Sequence, residues 1–277
     1  MPIPLTASRW GSGPLLVCHP GGPGLHPDYL ASLEALAEHR TVMVVHPRGV
    51  GRTPAAAESD DYGLDAYTAD LSAWIDREAR GEPVDLLGHS HGGIVAGLLA
   101  ARRPRAVRRL VLMATPAYGG DEADTRAHEG YRARRDEPLV AAALDTLERH
   151  DRLPADGGAL GRLVANLLPL WMGPDPHAVT RWQRRLAELP ANPDALHHFN
   201  TRVHPVLTTE LLGLREIRGP TLAVAGDLDS LAGPDHLHRL AALVPGARTV
   251  TLPGSGHMCH LDATEAVIRA VADFLLD

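Results

Sequence analysis

Along the chain, short apolar runs alternate with longer stretches in which apolar residues recur every three or four positions. Pro14 to Cys18 and Thr41 to Val45 are compact and apolar, as buried strands are, and Val84 to Leu87 and Val107 to Met113 repeat the pattern. Between them Tyr29 to Glu38, Leu64 to Arg80 and Gly92 to Arg102 carry helical periodicity, with Asp65 near the start of the second and Gly81 just past its end. Strands alternating with helices predict a mostly parallel sheet with helices on both faces, because parallel neighbours must be joined by a crossover. The rhythm resumes late in the chain. Strands are predicted at Thr221 to Ala225 and Thr249 to Leu252, with helices from about Pro234 to Val244 and from about Thr264 to Leu276.

From about Ala117 to Val206 the pattern differs. Helical periodicity continues without a convincing strand, interrupted at Pro138, Pro154 to Gly158, Pro169, Gly173 to Pro176 and Pro190 to Pro193. The expected architecture is one α/β core, residues 1–116 and 207–277, carrying an inserted helical cap, residues 117–206.

Composition changes the picture in three ways. Of 277 residues 44% are hydrophobic but only 4% aromatic, so the core must be built from Leu, Val, Ala and Ile. The net charge of -7 argues against a nucleic-acid partner, since phosphate binding needs a concentrated basic surface. The 27 basic residues are all arginine, which excludes a Walker phosphate loop, a Schiff-base lysine and a Ser-x-x-Lys acylase. No leader pattern or apolar run of membrane-spanning length is present, and Cys18 and Cys259 are the only cysteines. A cytoplasmic protein with two free thiols and no membrane partner is expected.

The chemistry concentrates where predicted strands end. Gly88-His89-Ser90-His91-Gly92 follows one strand directly and opens a helix. A strand turning sharply into a helix pushes its central side chain into the open, and small neighbours relieve the crowding. Ser90 is therefore the candidate nucleophile, which needs a base and an acid to orient that base. His257 lies after the strand at Thr249 to Leu252, on a loop of small residues. The acid follows the strand at Thr221 to Ala225: Asp229 is preferred, Asp227 is its rival in the turn, and Asp235 is a more distant third at an expected helix N-cap. Oxyanion donors are expected from the backbone N–H of His91 and of Gly22, in the turn His19-Pro20-Gly21-Gly22-Pro23-Gly24. Trp171, Met172, Trp182 and Phe199 are candidate apolar liners of a substrate pocket. The His89/His91 pair lacks the additional nearby ligands of a zinc site, so no metal is expected, and no cofactor signature is present.

Pro20-Gly21-Gly22-Pro23-Gly24, Arg48-Gly49-Val50-Gly51-Arg52-Thr53 and Gly88-His89-Ser90-His91-Gly92-Gly93 resemble the H-G-G-P-G, D-x-R-G-x-G-x-S and G-x-S-x-G-G stretches of the α/β-hydrolase superfamily, in its proline iminopeptidase-like branch. The resemblance implies an α/β-hydrolase fold, a triad of Ser90, Asp229 and His257, oxyanion donors at Gly22 and His91, and a lid at residues 117–206. Pro20 stands in the place of the family's histidine and His46 in that of its aspartate. The W-x-x-W-E stretch of iminopeptidases is not reproduced around Trp171 and Trp182. Glu122, Glu129 and Glu137 are other cap acids able to meet a substrate amine. The expected function is cleavage of an ester, thioester or amide of a small molecule. The alternatives are an aminopeptidase acting on short peptides or aminoacylated small molecules, and a non-catalytic binding protein, against which the ordered Ser, Asp and His argue.

Overall fold

The apolar runs assemble into a seven-stranded sheet in the order β1-β3-β2-β4-β5-β6-β7. In this computed structural model, which describes residues 1–150 and 152–276, the strands are Thr6–Trp10 (β1), Leu15–His19 (β2), Thr41–His46 (β3), Val84–His89 (β4), Val107–Met113 (β5), Thr221–Gly226 (β6) and Arg248–Leu252 (β7). Asp151, within the expected cap, and Asp277, at the end of the expected core, lie outside the described residues. Every residue of β4 and β6 is buried, as central parallel strands covered on both faces must be. β1 is the exception to the parallel rule: it runs antiparallel to β3, from Thr6 opposite His46 to Trp10 opposite Val42. Its polar residues Thr6, Ser8 and Arg9 give no apolar run, and it pairs only along one edge.

The helices are Leu64–Ala79 (α1), His91–Arg102 (α2), Asp121–Ala133 (α3), Pro138–Arg149 (α4), Gly157–Leu167 (α5), Pro176–Ala187 (α6), Pro193–His198 (α7), Leu207–Glu210 (α8), Pro234–Leu243 (α9), Cys259–Asp262 (α10) and Thr264–Leu276 (α11). The stretch expected as a helix at Tyr29 to Glu38 is wound more tightly, as a 3-10 run over Pro27–Glu38. A π-helical turn, Phe199–Val203, continues α7. Between β5 and β6 the described residues form helices and connecting turns without a strand. No described helix is long and apolar enough to cross a membrane.

Three apolar clusters hold these layers. One face of the sheet packs Leu71, Trp74, Ile94, Leu98 and Leu240. The other packs Tyr29, Leu33, Val111, Val267 and Phe274. Full burial of each such side chain contributes roughly 1.5–3 kcal/mol against exposure. Helices α3 to α5 bring a third cluster of their own, including Val140, Leu144, Leu160 and Leu163.

The strand order places the site. The chain leaves β2 for β3 on one side and returns to β4 on the other, so β2 and β4 flank a switch in direction. In open α/β sheets a crevice opens there, beyond the carboxyl ends of the strands. Register sets His19 beside Gly88, so the turn after β2 and the turn after β4 emerge side by side.

Candidate active site

Ser90 sits where β4 turns into α2, with φ 53° and ψ -122°. That backbone conformation costs a non-glycine residue about 1–3 kcal/mol and persists only where its surroundings hold it. They do: the Ser90 N–H donates to the Met113 carbonyl at 2.9 Å, and the Ser90 carbonyl accepts the Gly93 N–H at 2.8 Å. Side chains are shut out of the flanking positions, because a Cβ on Gly88 would run into the Gly92 backbone and one on Gly92 into the His19 carbonyl. The result is a half-buried serine at the start of a helix whose first N–H groups point toward it.

The turn after β2 closes over this elbow. A Cβ on Gly21 would meet the His89 carbonyl oxygen at 2.7 Å and Ser90 Cβ at 2.8 Å, so only glycine allows the approach. The Gly21 N–H is already used, donating to the Tyr29 hydroxyl at 2.6 Å. Gly22, at φ 119°, lines the cavity in front of Ser90.

Two further strand ends bring a carboxylate and an imidazole together. Asp229 follows β6 and His257 follows β7, and their side chains meet at 2.9 Å between Oδ2 and Nδ1. The other carboxylate oxygen accepts the N–H groups of Leu231 and Ala232 at 2.8 and 2.9 Å, which fixes the rotamer. Both side chains are buried. Asp227, the rival acid, is exposed, and its backbone N–H ties the turn to the Leu252 carbonyl at 3.1 Å. Asp235 lies in the first turn of α9, capped instead by Gly233, and its carboxylate meets Arg126 at 3.1 Å.

Ser90 and His257 face one cavity of about 380 Å³, lined also by Gly22, His91, Pro116, Tyr118, Phe199 and Leu231. Its remaining wall is polar: Asp124 from α3, Asn200 from the π-helical turn and His204.

The α/β hydrolase fold family matches residues 14–264. This chain belongs to that family. It is 31% identical over 273 residues to the polyketide synthase ThaQ of Burkholderia thailandensis, covering 96% of this chain but 12% of the synthase. It is 25% identical to a proline iminopeptidase of Heyndrickxia coagulans, covering 96% of this chain and 91% of that protein. In structure it is similar to the meta-cleavage product hydrolase from Pseudomonas fluorescens IP01, with a TM-score of 0.74, 19% identity, and 98% and 93% of the two chains covered.

In this α/β hydrolase, of the four apolar residues expected in the pocket, Phe199 lines the cavity and stacks edge-on against His91, with ring centroids 5.5 Å apart. The other three lie elsewhere, which corrects that expectation. Met172 is buried in the core, and Trp182 packs against that core under the Arg185 guanidinium. Trp171 donates from Nε1 to the Tyr131 hydroxyl at 3.2 Å, while its carbonyl accepts the Met258 N–H at 2.9 Å. The Trp171 backbone thus joins the helical region to the residue after His257, while its ring packs within the helical region. Glu122 and Glu137 pair with Arg126 and Arg134, and Glu129 is absent from the cavity lining. Tyr118, Asp124, Asn200 and His204 had no sequence signal, since helical periodicity does not say which polar side chain a fold turns inward.

Three buried histidines near Ser90, His89, His91 and His260, are kept neutral. Burial holds His89 well below its ordinary range, helped by His260 and His257 nearby. Burial also lowers His91 to about 3, with His19 adding to it, and His260 to about 3. His89 and His91 point to opposite sides of the elbow, the first beside Tyr29 and His257, the second against Tyr67 and Phe199. Burial likewise pushes both cysteine thiols up, so neither Cys18 nor Cys259 offers a thiolate at neutral pH.

The Arg48 stretch anchors the fold away from the chemistry. Arg48 donates from Nε to Asp70 at 2.8 Å. His46, standing where an aspartate was expected, accepts the Arg52 N–H at 3.1 Å and so closes the turn itself. Asn192 then ties the helical region to both glycine-rich turns, donating to the Gly49 carbonyl at 3.2 Å and, through its N–H, to the Gly24 carbonyl at 2.8 Å.

Proposed function

We propose that this chain is a serine hydrolase that cleaves an ester, thioester or amide bond of a small molecule through an acyl-enzyme on Ser90. The observation that carries the reading is the Asp229–His257 pair at 2.9 Å, facing the same cavity as a serine held at φ 53°. A carboxylate accepts from Nδ1–H, so Nε2 is left bare as a base. His257 takes the Ser90 proton as Oγ attacks the substrate carbonyl, and returns it to the leaving group. Water then repeats the sequence in reverse and frees the acid. The developing oxyanion is met by the backbone N–H groups of Gly22 and His91, each such donor worth roughly 10²- to 10³-fold in kcat. Asp229 holds the ring and stabilises its charged form.

The named relatives act on different things, so the substrate follows from the cavity. At about 380 Å³, with Phe199, Leu231 and Pro116 beside the serine, it suits a small acyl group. One observation favours the second reading, an aminopeptidase acting on short peptides or aminoacylated small molecules. Asp124 puts a carboxylate on the cavity wall, where a substrate ammonium can pair with it.

Fluorophosphonate labelling that disappears in Ser90→Ala tests the nucleophile, and an unlabelled wild type overturns it. Rates on p-nitrophenyl acyl esters against proline and alanine p-nitroanilides separate the two readings. The esters are expected to turn over faster; turnover of the anilides alone replaces the first reading with the second.

A further inference from the structure

Behind the catalytic surface a chain of hydrogen bonds joins three separate loops. The Gly21 N–H meets the Tyr29 hydroxyl at 2.6 Å, that hydroxyl meets His89 Nδ1 at 2.8 Å, and His89 Nε2 meets the His257 carbonyl at 3.1 Å. All of these side chains are buried. Their roles are forced one by one. A carbonyl only accepts, so His89 Nε2 carries the proton. The neutral ring then leaves Nδ1 bare, so the Tyr29 hydroxyl must donate to it. The tyrosine oxygen keeps lone pairs, and one accepts from Gly21. No step in the chain admits the opposite direction.

We propose that Tyr29 and His89 are positioning residues that lock the oxyanion turn and the His257 loop to the nucleophile elbow. The proposal rests on the serine-hydrolase reading above. Gly21 precedes the proposed donor Gly22, and the carbonyl held at the other end belongs to the proposed base itself. The middle link, His89, adjoins Ser90 in sequence. One chain therefore sets the spacing among nucleophile, oxyanion donor and base. Packing reinforces it: the His89 ring lies 5.1 Å from that of His257 and 4.9 Å from that of His260. His260 in turn donates from Nε2 to the Tyr29 carbonyl at 3.2 Å, holding the tyrosine from behind.

Tyr29→Phe removes one oxygen and strands both the Gly21 N–H and His89 Nδ1. A misplacement of about 1 Å in a reacting group lowers rates by about 100-fold. With an ester substrate, kcat is expected to fall roughly 10- to 100-fold while KM stays within about threefold, because the cavity lining is untouched. His89→Leu is expected to do the same. His89→Gln, which keeps a donor and an acceptor, should recover part of the loss. The double variant Tyr29→Phe/His89→Leu should cost no more than the worse single one, since both cut one chain. Stoichiometric fluorophosphonate labelling of each variant establishes that the fold and nucleophile survive, and Tyr29→Phe alone suffices if His89→Leu does not fold. Unchanged kcat in labelled Tyr29→Phe, or a rise in KM alone, overturns the positioning role. Activity surviving in Ser90→Ala would instead overturn the reading beneath it.

Discussion

The cavity has two walls of different origin. One is made of turns at the ends of β2, β4, β6 and β7, which present Gly22, Ser90, Leu231 and His257, with Asp229 buried behind His257. The other is made of α3 and the π-helical turn, which present Asp124, Phe199 and Asn200, with His204 just beyond. On the first wall almost every position is constrained: glycines that admit no Cβ, a serine at positive φ, a carboxylate with both oxygens engaged. On the second wall the lining residues are side chains on helices, and Asp124 and Asn200 are exposed to solvent. A constrained wall suits chemistry that must not vary, whereas a wall of replaceable side chains suits selection among substrates.

The largest expected effect lies on the constrained wall. Asp229→Asn leaves the geometry almost unchanged but offers the wrong partner to His257 Nδ1, and kcat for an ester should fall about 10⁴-fold. A loss below about tenfold would show that the Asp229–His257 pair is not the working one. Gly22→Ala comes next. Its φ of 119° disfavours any side chain, and a Cβ there would lie 2.8 Å from the Leu25 nitrogen. Displacing this proposed oxyanion donor should lower kcat roughly 10²- to 10³-fold with labelling of Ser90 retained.

The second wall should answer differently. Phe199→Ala removes cavity lining and is expected to change kcat/KM by about tenfold, with a different sign for short and long acyl chains. Met172→Ala serves as its control. Buried and absent from the cavity, Met172 should cost about 2–5 kcal/mol of stability in a denaturant titration while leaving the order of substrates intact. If Phe199→Ala alters only stability and Met172→Ala reorders the substrates, the two walls have been divided wrongly.

This contrast also explains what could be read from the chain. The central strands were legible because parallel strands buried on both faces are continuous apolar runs, as Val84 to Leu87 and Thr221 to Ala225 are. Ser90, Asp229 and His257 were legible as candidates because each follows a predicted strand and small residues mark the turns. β1 was not, since Thr6, Ser8 and Arg9 disguise an edge strand as a loop. Of the second wall Phe199 was legible, but apolar size equally drew attention to Trp171, Met172 and Trp182, whose partners are Tyr131, the core and Arg185. Tyr29 and His89 were hidden for another reason. Their positions along the chain gave no hint that a fold would set a tyrosine hydroxyl between Gly21 and His89.

The smallest expected effect concerns the seam between the walls. Asp262 accepts the N–H groups of Gly173 and Gly256 at 2.8 and 2.9 Å, joining the helical region to the loop of His257. Burial pushes its carboxyl up to about 6 from 3.8, against those two N–H groups and Arg134. The folded chain then binds more protons than the unfolded one between these values. Its contribution to stability is full below about pH 4 and is lost as pH rises through about 6. Asp262→Asn keeps an acceptor and removes the charge, so its thermal midpoint should exceed that of the wild type above about pH 6, the two converging near pH 4. A gap that instead widens toward acid would reverse the assignment.

The central claim is that the reacting acyl group passes through Ser90. Acid quenching of a p-nitrophenyl ester reaction, followed by peptide mass spectrometry, tests it directly. The acyl group is expected on the peptide carrying Ser90, and is expected to be missing from that peptide in Ser90→Ala. Release of p-nitrophenol with the acyl group on another residue, or on none, would contradict the account.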